Sequence, residues 1–312
     1  MAANFSDMQA SLLYEVEPAI QFHALFEAFC ARATDLGLSG SFQILKDASD
    51  DRTLALSGTG LHALITLRTT PCDISDFEVA LRAPILKFKP FDSKAAIAAH
   101  SAALVISVGD GEKPRPFHQR EALRSAGVKP AELTHKLALL HVLMNCLVDH
   151  SPPTVINFSP TQLLLSPDEF QAVADTLLPL PILFHPYPII DGKDANGMLR
   201  MGMVAIHAQH LIGAELALEN APQAVDVGSQ ISLLAKLIAQ KRSGNLSLND
   251  GELVEPAGKL VLRVRHAQSD APDASHRIIA RFEDGVPDKP NARGPQGQQA
   301  FQDRIARLKT RS

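Results

Sequence analysis

PAELTHKLALLHVLMNCLVDH, residues 130–150, is the stretch whose reading decides the fold. Pro130 suits the first turn of a helix, where its missing N–H is no loss. Leu, Ala, Val and Met then recur around the whole circumference rather than along one stripe. A helix apolar on all sides belongs in an interior, so this one is expected to be largely buried. His135 and His141 sit six apart on it and face different sides, which disfavours a shared ligand site.

The rest of the chain offers the cover such a helix needs. Runs rich in β-formers are RTLALSG (52–58), LHALITLR (61–68), AALVISV (102–108), PTVINFS (153–159), LPILFHPY (180–187), RMGMVAI (200–206), AELALEN (214–220), KLVLRVRH (259–266) and HRIIARFE (276–283). Each is short and bounded by Gly, Pro, Asn or Asp, as strands are. Thr59-Gly60 joins the first two into a hairpin. Further helices are expected at 18–36, with Phe22, Leu25, Phe26 and Phe29 on one face, and at 228–242. Ser75 with Glu78 reads as a capping box opening a helix over 73–83, and Ser166, Pro167 and Glu169 read as another opening one over 166–178. Hairpins mixed with alternating helices and strands predict an α+β fold, with a mixed or mostly antiparallel sheet flanked by helices. Two related α/β layers are a second expectation, with one domain over 1–284 and subdomains at about 1–127 and 128–284. No pattern recurs at a fixed period, which argues against a solenoid.

From Gly285 the character changes. Residues 285–312 carry Lys289, Arg293, Arg304, Arg307, Lys309 and Arg311 against Asp288 and Asp303, and read as a basic, flexible tail. GEKPRPFHQREALRS, 111–125, reads as a flexible loop.

Composition excludes several function classes. Of 312 residues, 46% are hydrophobic and 21% charged, as in an ordinary globular protein. Aromatics make up 5%, with no Trp, so base-stacking platforms are lacking, and a net charge of -4 gives no field toward nucleic acid. Cys30, Cys72 and Cys146 are scattered, no CxxC occurs, and reduced thiols in a cytoplasmic protein are expected. No apolar run approaches membrane-spanning length, and the first residues lack the pattern of a leader peptide.

Candidate chemistry is sparse. GDGEKP, 109–114, has its glycines one residue apart and Lys113 before Pro-Arg-Pro, so neither a Walker loop nor a dinucleotide fingerprint fits. His207 and His210 are three apart and lack the glutamate of a metalloprotease helix, although Glu215 follows. His185 falls at a strand end between prolines. Glu215 and Glu219 share one face of a strand, opposite Leu216 and Leu218. GLSGS, 37–41, lacks the last glycine of a nucleophile elbow. His100 stands where a helix hands over to a strand. No catalytic, cofactor-binding or metal-binding constellation is assigned, and His100 and Glu215 are the candidate functional residues.

As a whole the pattern resembles the bacterial proteins grouped as domain of unknown function 4261, over roughly residues 20–265. AAHSAALVI (98–106) resembles that family's alanine-histidine segment, with His100 at the histidine position, and Gly213, Glu215, Leu216 and Leu218 resemble its closing strand. The family carries no established activity, so the resemblance implies a compact α+β domain and no catalytic residue. By analogy with the deployment of such domains, the expected function is a non-enzymatic cytoplasmic protein-interaction module. An adaptor, chaperone or immunity-type accessory protein beside a secretion or toxin system fits, with another protein as partner, no cofactor, and neither nucleic acid nor membrane. The rival expectation is a hydrolase or small-ligand enzyme with a site gathered from His100, His207, His210 and Glu215.

Overall fold

The computed structural model describes residues 8–114, 132–193, 197–257, 260–267 and 276–283. The expected tail at 285–312 and residues 115–125 of the expected loop lie outside the described residues. The fold is α+β, with two mostly antiparallel sheets. The chain divides into two compact units, one ending at Ile182 and the other beginning at Leu183.

In the first unit the strands are β1 (Met8–Tyr14), β2 (Gln43–Ile44), β3 (Thr53–Gly58), β4 (Leu61–Arg68), β5 (Ala102–Asp110), β6 (Val155–Phe158) and β7 (Leu163–Leu165). They form one sheet in the order β2-β3-β4-β5-β1-β6-β7, with every pairing antiparallel. Its helices are α1 (Phe22–Asp35), α2 (Glu78–Leu81), α3 (Ser93–Ala99), α4 (Leu133–His150) and α5 (Pro167–Gln171).

Helix α4 packs on β1 and β5 and against α1, and every residue from Lys136 to Val148 is buried. Ala10 and Leu12 of β1, Leu104 and Ile106 of β5, and Ile156 and Phe158 of β6 share one sheet face and are fully buried. Against this core α1 offers Leu25, Phe29 and Ala33, four residues apart and therefore on one stripe. Phe29 meets Phe42 edge to face at 5.1 Å. Gly58 makes that position possible, because a Cβ there would lie 2.5 Å from the Phe42 ring.

The opposite sheet face is divided. Its apolar half, with Leu13, Ala103, Val105, Val155 and Leu164, is covered by Phe77, Ala80 and Ile97 from the excursion between β4 and β5. Its other half is polar, with Ser11, Ser57, His62 and Asn157.

The second unit contains β8 (His185–Lys193), β9 (Leu199–Ile206), α6 (Gln209–Ile212), β10 (Glu215–Glu219), α7 (Val227–Arg242), β11 (Leu253–Ala257), β12 (Leu260–Ala267) and β13 (Arg277–Phe282). The sheet order is β11-β12-β13-β10-β9-β8, antiparallel except for the parallel pair β10 and β13. Helix α7 lays Leu233, Leu234, Leu237 and Ile238 on β9, β10 and β11. Asp226 caps it by accepting from the Ser229 N–H at 2.7 Å.

Among the described residues, none of the four sheet edges is a long unbroken strand. β2 has two residues and β7 three, while β8 carries Pro186 and Pro188 and β11 carries Pro256. Proline removes the N–H that an incoming strand would use, and a two-residue edge offers almost none.

Four expectations need correction. The division falls at Ile182, not near 127, because α4 belongs to the core of the first sheet. The two sheets do not repeat one topology, since the second contains a parallel pair. Residues 74–77 form a 3-10 turn capped by Asp73, which accepts from the Ser75 N–H at 2.9 Å, so Ser75 is not the cap and α2 begins only at Glu78. The Ser166 capping box is present with both of its bonds, but α5 stops at Gln171. Three residues beyond it, the Asn145 side-chain amide donates to the Ala174 carbonyl at 2.8 Å.

Candidate functional site

His100 begins as a matter of backbone geometry. It ends α3, with φ -70 and ψ 143, and turns the chain into β5. Its ring is buried, and its Nε2 accepts from the Cys72 N–H at 2.8 Å. Nδ1 therefore carries the proton and donates to the Ile97 carbonyl. Phe77 meets the ring edge to face at 6.3 Å. The imidazole thus ties the start of the 72–100 excursion to its end, and both of its nitrogens are committed to main chain. His100 is a clamp, placed to position whatever the excursion carries.

A second tie is Lys89, whose Nζ donates to the Leu164 carbonyl at 2.7 Å and to Glu169 at 3.1 Å. Burial pushes the Lys89 pKa down, while the Glu169 carboxylate opposes that shift. Held at these points, the excursion lines an open cleft of about 710 Å³. Leu81, Leu86 and Phe91 wall it, with half-exposed Ile74 also lining it. Ser93 lines it too, 4% exposed, and its hydroxyl has no hydrogen-bond partner among the described residues. The charged lining comprises Arg82, Lys87 and Lys94 against Glu78 and Asp92.

The other sequence candidates belong to the second unit. His207 ends the β9 turn at φ 69, left-handed backbone that costs a non-glycine residue about 1–3 kcal/mol. Burial, and next the nearby charge of His185, push its pKa down, while Glu215 pulls it up. His210 lies in the single turn of α6, where burial and then His207 push its pKa down to about 4. His207, His210 and Glu215 are therefore brought into one neighbourhood. Yet Glu215 lies directly opposite Arg277 across the β10–β13 pair and binds it at 2.7 Å. Glu219 pairs with Arg265 at 3.7 Å, and Arg263 with Glu283, on the same polar sheet face. Glu215 is one rung of an ion-pair ladder. Among the described residues, no group of three or more His, Cys, Asp and Glu could hold a metal ion.

Sequence reasoning passed over the hairpin of β8 and β9. Alternation places Pro188, Ile190, Met201 and Met203 on one face of it, and Leu199 continues that face. Pro188 and Met203 are buried, but Ile190 is 65% exposed and Leu199 53%. Met198, beside them, is 59% exposed. The core face of the sheet thus runs out to exposed Ile190 and Leu199. The signal was legible in IIDGK and GMLRM, where large apolar residues flank a glycine-rich turn.

Comparison with protein-family models, curated proteins and solved structures finds no match. Among the described residues no helix is long and apolar enough to cross a membrane.

The clamp and the buried histidine of α4 give two tests. His100→Ala orphans the Cys72 N–H and hollows the space beside Phe77, so urea denaturation is expected to show a loss of about 2–4 kcal/mol. An unchanged midpoint would show that the ring holds nothing. His141 is 0% exposed, and burial pushes its pKa from 6.5 down to about 4. The unfolded chain therefore takes up this proton first, and stability present above pH 6.5 is lost as pH falls toward 4. His141→Leu is expected to remove about 3 kcal/mol of that loss, read from unfolding free energies at pH 7 and pH 4.

Proposed function

We propose that the chain is a non-enzymatic protein-interaction module of the cytoplasm, an adaptor or accessory protein that docks its partner on the β8–β9 hairpin. The carrying observation is the exposure of Ile190 and Leu199 where the sheet's own core face emerges from cover, with Met198 exposed beside them. Scattered exposed apolar residues are ordinary, but neighbouring ones that continue a buried face mark a surface built to be covered. Tyr187, 39% exposed on the other side of the same strand, adds a residue type enriched at such interfaces. Pro186 and Pro188 weaken strand addition along β8, so recognition rests on side chains rather than on a shared ladder.

The resemblance of 98–106 and 213–218 to the domain of unknown function 4261 belongs to the same reading. A catalytic role for His100, His207, His210 and Glu215 has less support. His100 spends both nitrogens on main chain, and Glu215 is bound by Arg277.

Site-specific photo-crosslinking in cells tests the proposal. A benzophenone amino acid at position 199 is expected to give a discrete adduct, and the same probe at exposed Lys46 none. Ile190→Asp should remove the adduct by weakening the partner's affinity at least about 30-fold, as loss of an interface anchor does. Equal adducts from both positions, or none from 199, would contradict it.

A further inference from the structure

We infer that the cleft of the 72–100 excursion is a binding site for a small amphipathic anion, an apolar body carrying one acidic head group. This inference does not rest on the reading of the hairpin surface. At about 710 Å³ the cleft has the size of a small-molecule site, commonly about 300–1,000 Å³. Its composition is also that of such a site: apolar walls from Leu81, Leu86 and Phe91, with a few polar groups placed among them.

Two observations select the head group. First, Ser93 is buried in the lining, with a hydroxyl that meets no partner among the described residues. Ser93 begins α3 at the cleft wall, and a turn about χ1 that brings its hydroxyl into the cleft would let it donate to a ligand's acid, for which an anionic oxygen is the strongest acceptor. Second, the charges around the cleft do not cancel. Glu78 is taken by Arg82, and one Asp92 oxygen accepts from the Ala95 N–H at 3.0 Å. Lys87 and Lys94 enter no ion pair among the described residues and outnumber Asp92, the one lining carboxylate not held by an arginine, so the cleft keeps a net positive charge for a ligand's acid. A neutral apolar ligand would leave the hydroxyl unmet, and a cation would face both lysines.

The cleft is also held in shape. His100 closes the excursion, Lys89 pins its middle, and Phe77, Ala80 and Ile97 fix it to the sheet. A site held open in this way spends less binding energy on ordering itself.

The test uses the full chain and a fluorescent probe, 8-anilinonaphthalene-1-sulfonate, with its uncharged counterpart N-phenyl-1-naphthylamine. The sulfonate is expected to bind saturably with one-to-one stoichiometry, at least about tenfold more tightly than the neutral compound. Lys87→Gln with Lys94→Gln, both at exposed positions, should raise its dissociation constant about tenfold. Ser93→Ala should weaken binding about threefold without lowering the thermal midpoint, because it deletes a hydroxyl that is unsatisfied in the free protein. A structural role for Ser93 would move the midpoint instead. The inference is overturned if no saturable binding occurs, if the neutral compound binds as tightly, or if the double lysine variant binds the sulfonate unchanged.

Discussion

Every residue of α4 from Lys136 to Val148 is buried, and the first unit is organised around that constraint. Leu and Val stabilise such a helix simply by leaving water. Its three polar residues do so only if each finds its own solution. Lys136 reaches Asp110 at the end of β5, at 3.0 Å. Asn145 accepts from Arg32 of α1 at 3.2 Å and donates to Ala174 beyond α5. His141 stays neutral, with its ring 5.5 Å from that of Phe170 and neither ring nitrogen within hydrogen-bond geometry of a partner among the described residues. These groups fix the helix in register against the sheet, against α1 and against the 167–177 segment. A buried charge without its partner is strongly unfavourable, so Lys136 in particular ties α4 to Asp110.

The apolar circumference of α4 was legible at once, because it needs only composition and period. So were β3, β4, β5, β6, β9, β10, β12 and β13, whose alternating or β-branched runs announce strands. β1 was not. MQASLLY is central in its sheet and buried on both faces, so it lacks the alternation that marks a half-exposed strand. β2 and β7 are too short to carry any period, and nothing in the sequence of 166–178 marks the stop of α5 at Gln171. The division of the chain was misplaced because which sheet buries a helix is a long-range fact.

For the sites, residue type was legible and partner was not. His100 was singled out by its place between helix and strand, and its importance is mechanical, joining Cys72 to Ile97. Asp110 stands in GDGEKP, whose two glycines drew the eye toward phosphate. In the structure Gly111 takes positive φ and donates its N–H to the Gly60 carbonyl at 2.8 Å, while Asp110 is the counter-ion of α4. Glu215 looked like a carboxylate at work and is a rung opposite Arg277. The cleft of Leu81, Leu86, Phe91 and Ser93 left no trace in sequence, because its residues converge only after short turns whose directions no periodicity encodes.

Native-state hydrogen exchange tests the organising role of α4 most directly. If α4 is the constraint on which the first unit depends, amides of Leu137–Val148 open only with those of Leu12 in β1 and Leu104 in β5, at one common free energy. Exchange of α4 through a separate opening, at a free energy well below that of β1 and β5, would contradict the account.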